Sequence, residues 1–361
     1  MRSSFKILQV IDTLEPGGAE KVLVTISNIL HAHQRNVTVL TILRNGPLEQ
    51  QLGKDIPVIC LHRKNKWDLF TMYRLAKICR GFDLIHVHSS FNLRYLILSL
   101  KLFSVRKPIF FHEHFGNIEI DPSVRWHQKL IYPKTILIAV SRKIYEWAVT
   151  KLQMPASKVF LLPNVISVES KMRENKLDNT LRILLTSNFR RVKNIEFAID
   201  VTDHLRKKQN CHLTIVGQLA DKGYYDMINT KIQSQNLQEN ITIHHGVTDI
   251  QQLLPAFNLA IHTAVSESGP LVLIEYLAAG LPFISFETGE VAHQIKDELG
   301  ECFVNNFDKA KWISKIENVL HQDQKQLSQK LGTIYQKFYS TESYYQRLLD
   351  IYQSALPENI A

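Results

Sequence analysis

The 361-residue chain predicts two α/β domains of similar size, each a parallel sheet covered by helices on both faces. Three observations predict it. Short apolar runs of strand length alternate with segments whose apolar residues follow helical spacing. The alternation breaks once, at the proline-containing and then highly polar stretch "VFLLPNVISVESKMRENKLDNT" (159–180), and restarts after it. The length exceeds what a single hydrophobic core usually serves.

The elements follow in order. Residues 5–12 form a short buried-strand pattern, and 17–33 a helix in which Val22, Ile26, Ile29 and Leu30 share one face. A strand at 36–43, a helix at 69–82, a strand at 83–89 and a helix at 91–103 come next, then a strand at 107–114 and a helix at 127–135. A strand at 136–141 and a helix at 142–152 close the first half. Beyond the break the pattern predicts strands at 181–188, 212–218, 241–246, 259–265 and 282–287. It predicts helices at 194–208, 224–236, 250–257 and 271–280, and a closing one near 310–322. The last segment, 340–356, is amphipathic, with Tyr345, Leu348, Leu349 and Tyr352 clustered and Ser340 or Thr341 available as a cap. These bounds divide the chain into 1–165, 166–340 and a terminal helix over 341–361.

Composition narrows the class. With 45% hydrophobic and 21% charged residues the chain reads as globular and not disordered. No apolar run reaches the ~18 residues of a membrane span. The N-terminus goes straight into a strand pattern without the apolar region and cleavage site of a signal peptide. Cys60, Cys79, Cys211 and Cys302 are scattered and read as reduced structural thiols of a cytoplasmic protein. The net charge of +9 is uneven: residues 1–165 hold 23 Lys and Arg against 11 Asp and Glu, whereas the rest is slightly acidic. The basic half is either a solubilising surface or a face held near anionic lipid or a phosphorylated acceptor. No helix-turn-helix, zinc-knuckle or RRM signal points to nucleic acid.

Open parallel sheets bind ligands at the carboxyl ends of their strands, so the strand-to-helix loops are the candidate sites. In "DTLEPGGAEK" Gly17 and Gly18 stand between a strand and a helix, where backbone can approach an anionic ligand. The dinucleotide pattern GxGxxG is absent and no acid ends the second strand, which disfavours a hydride-transfer enzyme. In "FFHEHFGN" His112 and His114 alternate around Glu113. A metal site, a structural role and a polar contact to a sugar or diphosphate are all open for them. His86 and His88 in "IHVHSS" invite the same readings, with a hydrogen-bonded core histidine foremost. In "TSNFRRVKN" Arg190, Arg191 and Lys193 lead into a helix; they suit a diphosphate or form a solvated charge run. In "SESGPLVLIEYLAAG" Glu267 lies at a helix mouth and Glu275 about 8 Å further along the axis at ~1.5 Å per residue. Both can accept hydrogen bonds from sugar or ribose hydroxyls; alternatively Glu275 is a surface glutamate.

The ordered series "GGAE", "HVHS", "HEH", "VS" at 140–141, "PNV", "RRVK", the E-x7-E block with its trailing "LAAGLPFI", and "TGE" resembles retaining glycosyltransferases of family 4 over nearly the whole chain. The resemblance implies the GT-B fold, two Rossmann-like α/β domains facing across a cleft, with the terminal helix crossing back to the N-terminal domain. It implies Glu267 near the donor sugar's hydroxyls, Glu275 on the nucleotide ribose, Lys193 on the diphosphate and His114 near the transferred sugar. Gly17 and Gly18 match the loop at the diphosphate and acceptor. Two positions depart from the pattern. Asn188 stands where an arginine is common, with Arg190 as a replacement two residues on. The late "GG" is "TGE", so Gly289 matches and Glu290 does not. The implied activity is transfer from a UDP- or GDP-linked donor, with retention and no catalytic metal or other cofactor, to a glycan or lipid-linked acceptor. The implied location is the cytoplasm or the inner face of the membrane. A sugar-nucleotide epimerase and a non-catalytic sugar-nucleotide-binding protein are the competing readings.

Overall fold

The computed structural model describes residues 5–114, 121–167, 180–247 and 249–356. Internal contacts divide the chain into two units: Met1–Ser167 with Thr341–Ala361, and Val168–Ser340.

In the first unit the order is β1 (Lys6–Ile11), α1 (Gly18–Ala32), β2 (Asn36–Thr41), β3 (Val58–Cys60), α2 (Leu69–Arg80) and β4 (Leu84–His88). It continues through α3 (Ser90–Leu102), β5 (Ile109–Glu113), α4 (Trp126–Ile131), β6 (Ile136–Ala139), α5 (Arg142–Thr150) and β7 (Val159–Leu161). The seven strands form one sheet in the order β3-β2-β1-β4-β5-β6-β7, and every pairing is parallel. Parallel strands joined by crossover helices are covered on both faces, which explains why β1, β2 and β4 are buried along nearly their whole length, polar residues included. One face carries the cluster of Leu8, Val10, Ile85, Val87 and Phe111 under α2 and α3.

The second unit repeats the plan with β8 (Leu181–Thr186), α6 (Ile195–Leu205), β9 (Cys211–Val216), α7 (Lys222–Ser234), β10 (Ile241–His244) and β11 (Leu259–His262). Then come α8 (Leu271–Ala278), β12 (Phe283–Phe286), α9 (Gly289–Ile295), β13 (Phe303–Val304), α10 (Lys309–Leu320) and α11 (Gln324–Tyr339). Its strand order is β10-β9-β8-β11-β12-β13, again all parallel. Each sheet therefore reverses direction of build once, between β1 and β4 and between β8 and β11. These are the topological switch points, where loops leave the sheet in opposite directions and open a crevice.

The structure departs from the sequence expectation in small elements. Residues 250–257 form no α-helix but only a 3₁₀ turn at Leu254–Ala256. Pro255 supplies no amide hydrogen, so the turn cannot grow through it into a longer helix. The interdomain stretch begins with a seventh strand, β7, on the edge of the first sheet before Pro163 stops it. The strands β3 and β13 and the helices α9 and α11 were not expected. Helix α11 buries Leu327, Leu331, Ile334 and Tyr335, a helical stripe, and Asp323 caps it by accepting from the Lys325 and Gln326 amides.

Helix α8, the helix of the paired glutamates, is apolar nearly all round and packs against α11. It ends in a Schellman turn: the Leu281 amide donates to the Tyr276 carbonyl and the Gly280 amide to that of Leu277. Gly280 adopts φ +60° there.

The terminal helix α12 (Thr341–Gln353) packs on the first unit. Its Tyr352 is fully buried, edge-on to Phe110 and Phe5, with its hydroxyl 2.7 Å from His86 Nδ1. Tyr345 stacks on His33 at 3.6 Å and its hydroxyl accepts from Arg35 at 2.7 Å. Truncating Tyr352 removes a buried aromatic and strands the hydroxyl's polar partners. Tyr352→Ala is expected to destabilise the first unit by about 3–5 kcal/mol. Urea unfolding should read this as an early loss of the first unit's signal.

Candidate active site

The loop after β8 is built to face the loop after β11. Ser187 donates its amide to the Val216 carbonyl, and Phe189, fully buried, donates its amide to the Gln218 carbonyl. Asn188 is occupied in the same seam: its side-chain oxygen accepts from the Gln218 amide at 3.0 Å. The approach is so close that a Cβ on Gly217 would lie 1.8 Å from the Ser187 carbonyl oxygen. Asn188 thus holds two loops together where an arginine would have had to reach out.

The chain then makes a 3₁₀ turn at Arg191–Lys193 and enters α6 through Asn194, which takes the left-handed conformation at φ +50°. Asparagine tolerates that region better than most residues. The turn is bonded to the β11 loop on both sides. The Val265 amide donates to the Val192 carbonyl at 2.8 Å, and the Thr263 hydroxyl donates to the Lys193 carbonyl at 3.0 Å.

These bonds bring the Lys193 ammonium onto the Glu267 carboxylate, with the two side chains 20% and 16% exposed. His262, the last residue of β11, places Nε2 3.4 Å from the same carboxylate oxygen. Its Nδ1 lies 3.0 Å from the Ser285 hydroxyl, which itself donates to the Phe286 carbonyl at 2.8 Å. A carboxylate only accepts, so His262 Nε2 carries the proton that faces Glu267, and the Ser285 contact at Nδ1 fixes the orientation of the ring. Burial alone would push the Glu267 carboxyl up, but Lys193 and His262 overcome it and hold the group at about 2.

The other side of the Glu267 loop rests on α9. The Glu267 amide donates to the Thr288 hydroxyl at 3.2 Å, and the Glu290 amide donates to the Ser268 carbonyl at 2.7 Å. Gly289 has φ +79°, and a Cβ there would meet Pro270 Cδ at 2.9 Å and Glu267 Cβ at 3.1 Å. Glycine at 289 is what lets α9 close against the acid.

The structure therefore joins Lys193, Glu267 and Gly289. Arg190 stands in the same loop with an exposed side chain that takes no part in the Lys193–Glu267 pair. Arg191 is also exposed and lies over the Tyr224 ring at 5.9 Å. Glu275 lies in the second turn of α8 and is 3% exposed, so it is not a surface glutamate. Three residues of this site, His262, Ser285 and Thr288, were not singled out in the sequence. The available signal was a histidine ending a strand five residues before Glu267.

The first unit carries the remaining residues. Gly17 is the N-cap of α1 in extended conformation and Gly18 is its first residue. A Cβ at Gly18 would meet nothing within 4 Å, so folding does not require glycine there. His114 follows β5 and belongs to a row of four histidines on one sheet face. Parallel register sets His88 beside His112, and alternation puts His86 and His114 on the same face. The rings stack: His86 on His88 at 4.6 Å, His112 on His114 at 4.4 Å, His88 on His114 at 5.3 Å. His114 Nε2 lies 3.0 Å from His88 Nδ1, and His88 Nε2 lies 3.0 Å from the Gln9 side-chain oxygen.

Among the described residues the ligand atoms of His86, His88 and His112 come within 4.8 Å of one another. They do not suit a metal. The rings are stacked at interplanar angles of 14–34°, so their in-plane lone pairs run side by side and do not converge. Both nitrogens of His88 are already engaged. Burial, then the neighbouring His114, lowers His86 to about 3, and burial lowers His114 to about 3. Burial also holds His88 and His112 well below the ordinary histidine value.

A family model described as "Glycosyltransferase Family 4" matches residues 16–170, and one described as "Glycosyl transferases group 1" matches 167–337. Fold and matches together define a glycosyltransferase of the GT-B class. Within that class, this chain joins a family 4 domain to a group 1 domain. The amylovoran biosynthesis glycosyltransferase AmsD of Erwinia amylovora is 26% identical over 310 residues, 81% of this chain and 84% of AmsD. Two solved structures share the fold. HepE of Anabaena in complex with UDP-glucose has a TM-score of 0.80 at 17% identity, covering 97% of this chain and 100% of HepE. A TarM variant of S. aureus in complex with fondaparinux, α-GlcNAc-glycerol and UDP has a TM-score of 0.75 at 13% identity, covering 96% and 99%.

Two measurements check this geometry. In a double-mutant cycle, Lys193→Ala and Glu267→Ala should each cost about 2–3 kcal/mol, less than a fully buried pair because water reaches both groups. The double variant should cost clearly less than the sum. The second concerns pH. Glu267 has a depressed folded pKa, so its contribution is complete above about 4.5 and is lost as pH falls through about 2. The four histidines stay neutral when folded and take up protons when unfolded. They remove up to about 1.4 kcal/mol each per pH unit below about 6.5. Hydrogen exchange at pH 5 should therefore show β4 and β5 losing protection while β8 and β11 keep it.

Proposed function

We propose that this chain transfers a sugar from a nucleotide-sugar donor to a glycan acceptor, with retention at the anomeric carbon and without a catalytic metal. The observation that carries the reading is the Lys193–Glu267 pair, held at the switch point of the second sheet by the loops after β8 and β11. There an ammonium meets a carboxylate that stays ionised. The ammonium's remaining N–H groups serve a diphosphate, and the carboxylate accepts from sugar hydroxyls.

In this reading the bond from the anomeric carbon to the diphosphate breaks and the bond to the acceptor oxygen forms on the same face. The acceptor's proton passes to the departing phosphate. Lys193 offsets the charge that grows on the diphosphate as it leaves, and the exposed Arg190 reaches the same phosphates. His262 orients Glu267. Glu275 holds the ribose, with Gly289 fixing the loop above it. In the first unit, Gly17 and Gly18 offer bare backbone at a helix start, and His114 contacts the transferred sugar. UDP is the preferred nucleotide, since the similar HepE and TarM structures contain it; GDP is the alternative. AmsD acts in amylovoran biosynthesis, which supports a polysaccharide or lipid-linked glycan acceptor. In this reading the reaction runs in the cytoplasm, or on the inner face of the membrane where the acceptor is lipid-linked.

The test has two stages. Thermal shift against UDP- and GDP-sugars should single out one donor, and NMR of the product should show the donor's anomeric configuration preserved. Glu267→Gln and Lys193→Met should each lower turnover by about 100-fold or more in folded protein. An inverted product, an isomerised donor without glycoside, or near-normal turnover in both variants would sink the reading.

A further inference from the structure

Eleven large apolar side chains are exposed among the described residues, and nine of them lie between residues 67 and 130 of the first unit. They are grouped by the fold. Helix α2 presents Leu69, Phe70 and Tyr73 on its outer face; the adjacent α3 presents Phe91, Leu98 and Leu102. The two stripes touch where the Tyr73 and Phe103 rings meet edge-to-face at 5.4 Å. Trp67, just before α2, is 68% exposed, and Trp126, the first residue of α4, is 75% exposed. Isolated exposed apolar residues are ordinary; two parallel stripes with a tryptophan at the head are not.

Charge is interleaved with these residues in one sign. From Arg63 to Lys107 the sequence has ten Lys and Arg against two acids, Asp68 and Asp83. Both acids are used internally. Asp68 caps α2 by accepting from the Thr71 amide and hydroxyl, and Asp83 accepts from the Lys6 amide at 2.7 Å. The cations lie against the rings: the Arg63 guanidinium is 4.7 Å from Phe91 and 4.6 Å from Tyr95, and Lys66 is 5.6 Å from Trp67. Lys77, Arg94 and Lys101 share the exposed stripes.

We infer that the outer face of α2 and α3, headed by Trp67 and Trp126, docks the protein on an anionic lipid bilayer. Tryptophan and phenylalanine seat at the headgroup boundary, where Lys and Arg stems lie along apolar surface with their charges at the phosphates. An anionic headgroup layer over apolar chains meets one-signed charge and interleaved exposed rings together, which is the combination this face presents. No helix among the described residues is long and apolar enough to cross a membrane, so the attachment is peripheral and reversible. Both helices begin at the carboxyl edge of the sheet, the edge that bears Gly17, Gly18 and His114. A docked lipid surface therefore lies beside the Gly17–Gly18 loop, which the resemblance implies for the acceptor, and beside His114. That last consequence rests on the proposed lipid-linked acceptor; the docking surface itself does not.

Vesicle co-sedimentation of the full chain, with neither donor nor acceptor present, tests it. Vesicles with about 30 mol % phosphatidylglycerol should bind the protein at least about 10-fold more strongly than pure phosphatidylcholine, and about 0.5 M salt should release most of it. Trp67→Ala combined with Phe70→Ala should weaken binding by about 10-fold or more, and Trp126→Ala should do so independently. Both variants should keep the wild-type melting temperature. The tryptophan emission of the wild type should shift to the blue on binding. Equal binding by wild type and both variants, or no binding to the anionic vesicles at low salt, would overturn the inference. So would a dimer that the Trp67/Phe70 variant converts to monomer, which would assign the face to a second copy of the chain. Loss of transfer activity in variants of Lys193 or Glu267 bears on the catalytic reading alone.

Discussion

A carboxylate and an ammonium meeting at a sheet's switch point is the constraint around which the second unit is arranged. Glu267 at 16% exposure is costly unless something compensates it, and the compensation comes from three directions. Lys193 arrives from the loop after β8. His262 arrives from the end of β11, oriented by Ser285 of β12. The backbone on the far side is held by Thr288 and closed by Gly289 of α9. Three adjacent strands of the sheet, β8, β11 and β12, and the helix α9 thus contribute to one side-chain pair. The tight Gly217–Ser187 crossing and the Asn188–Gln218 bond belong to the same arrangement, since they set the path of the loop that carries Lys193.

The first unit solves a different problem at its own switch point. Gln9 of β1 and the histidines of β4 and β5 put polar atoms on a buried sheet face. They are satisfied in part by one another and in part by the Tyr352 hydroxyl of α12. Neutral stacked imidazoles pack as flat rings, so the face stays dense at neutral pH. The arrangement is bought with acid sensitivity, because every protonation is deferred to the unfolded chain. It also makes α12 an integral part of this unit, although α12 lies at the opposite end of the sequence.

Much of this was legible in the sequence, for physical reasons that also explain what was not. Strands buried on both faces leave apolar runs, and crossover helices leave 3.6-residue stripes, so the two sheets could be read directly. The short edge strands β3, β7 and β13 have two or three residues each and leave too little pattern. Lys193, Glu267 and Gly289 were readable because local motifs carry them. His262, Ser285 and Thr288 act through strand order, which brings β11, β12 and the start of α9 side by side, and single-sequence periodicity does not encode that order. Asn188 shows the reverse case. Seen as a missing arginine it looked like a loss; in the structure it is a loop clamp, and Arg190 beside it remains exposed. The alternation HxH was visible twice, but that His88 registers with His112 needed the pairing of β4 with β5.

The most direct measurement is calorimetric binding of a nucleoside diphosphate and of its sugar conjugate to the wild type, Lys193→Met and Glu267→Gln. If Lys193 serves the diphosphate and Glu267 the sugar, Lys193→Met weakens both ligands by about 10-fold or more. Glu267→Gln then weakens only the conjugate by that factor, leaving the nucleoside diphosphate at or above its wild-type affinity because Lys193 is no longer shared. Equal losses for both ligands in both variants, or no loss in either, would contradict the division of roles between the two partners of this pair.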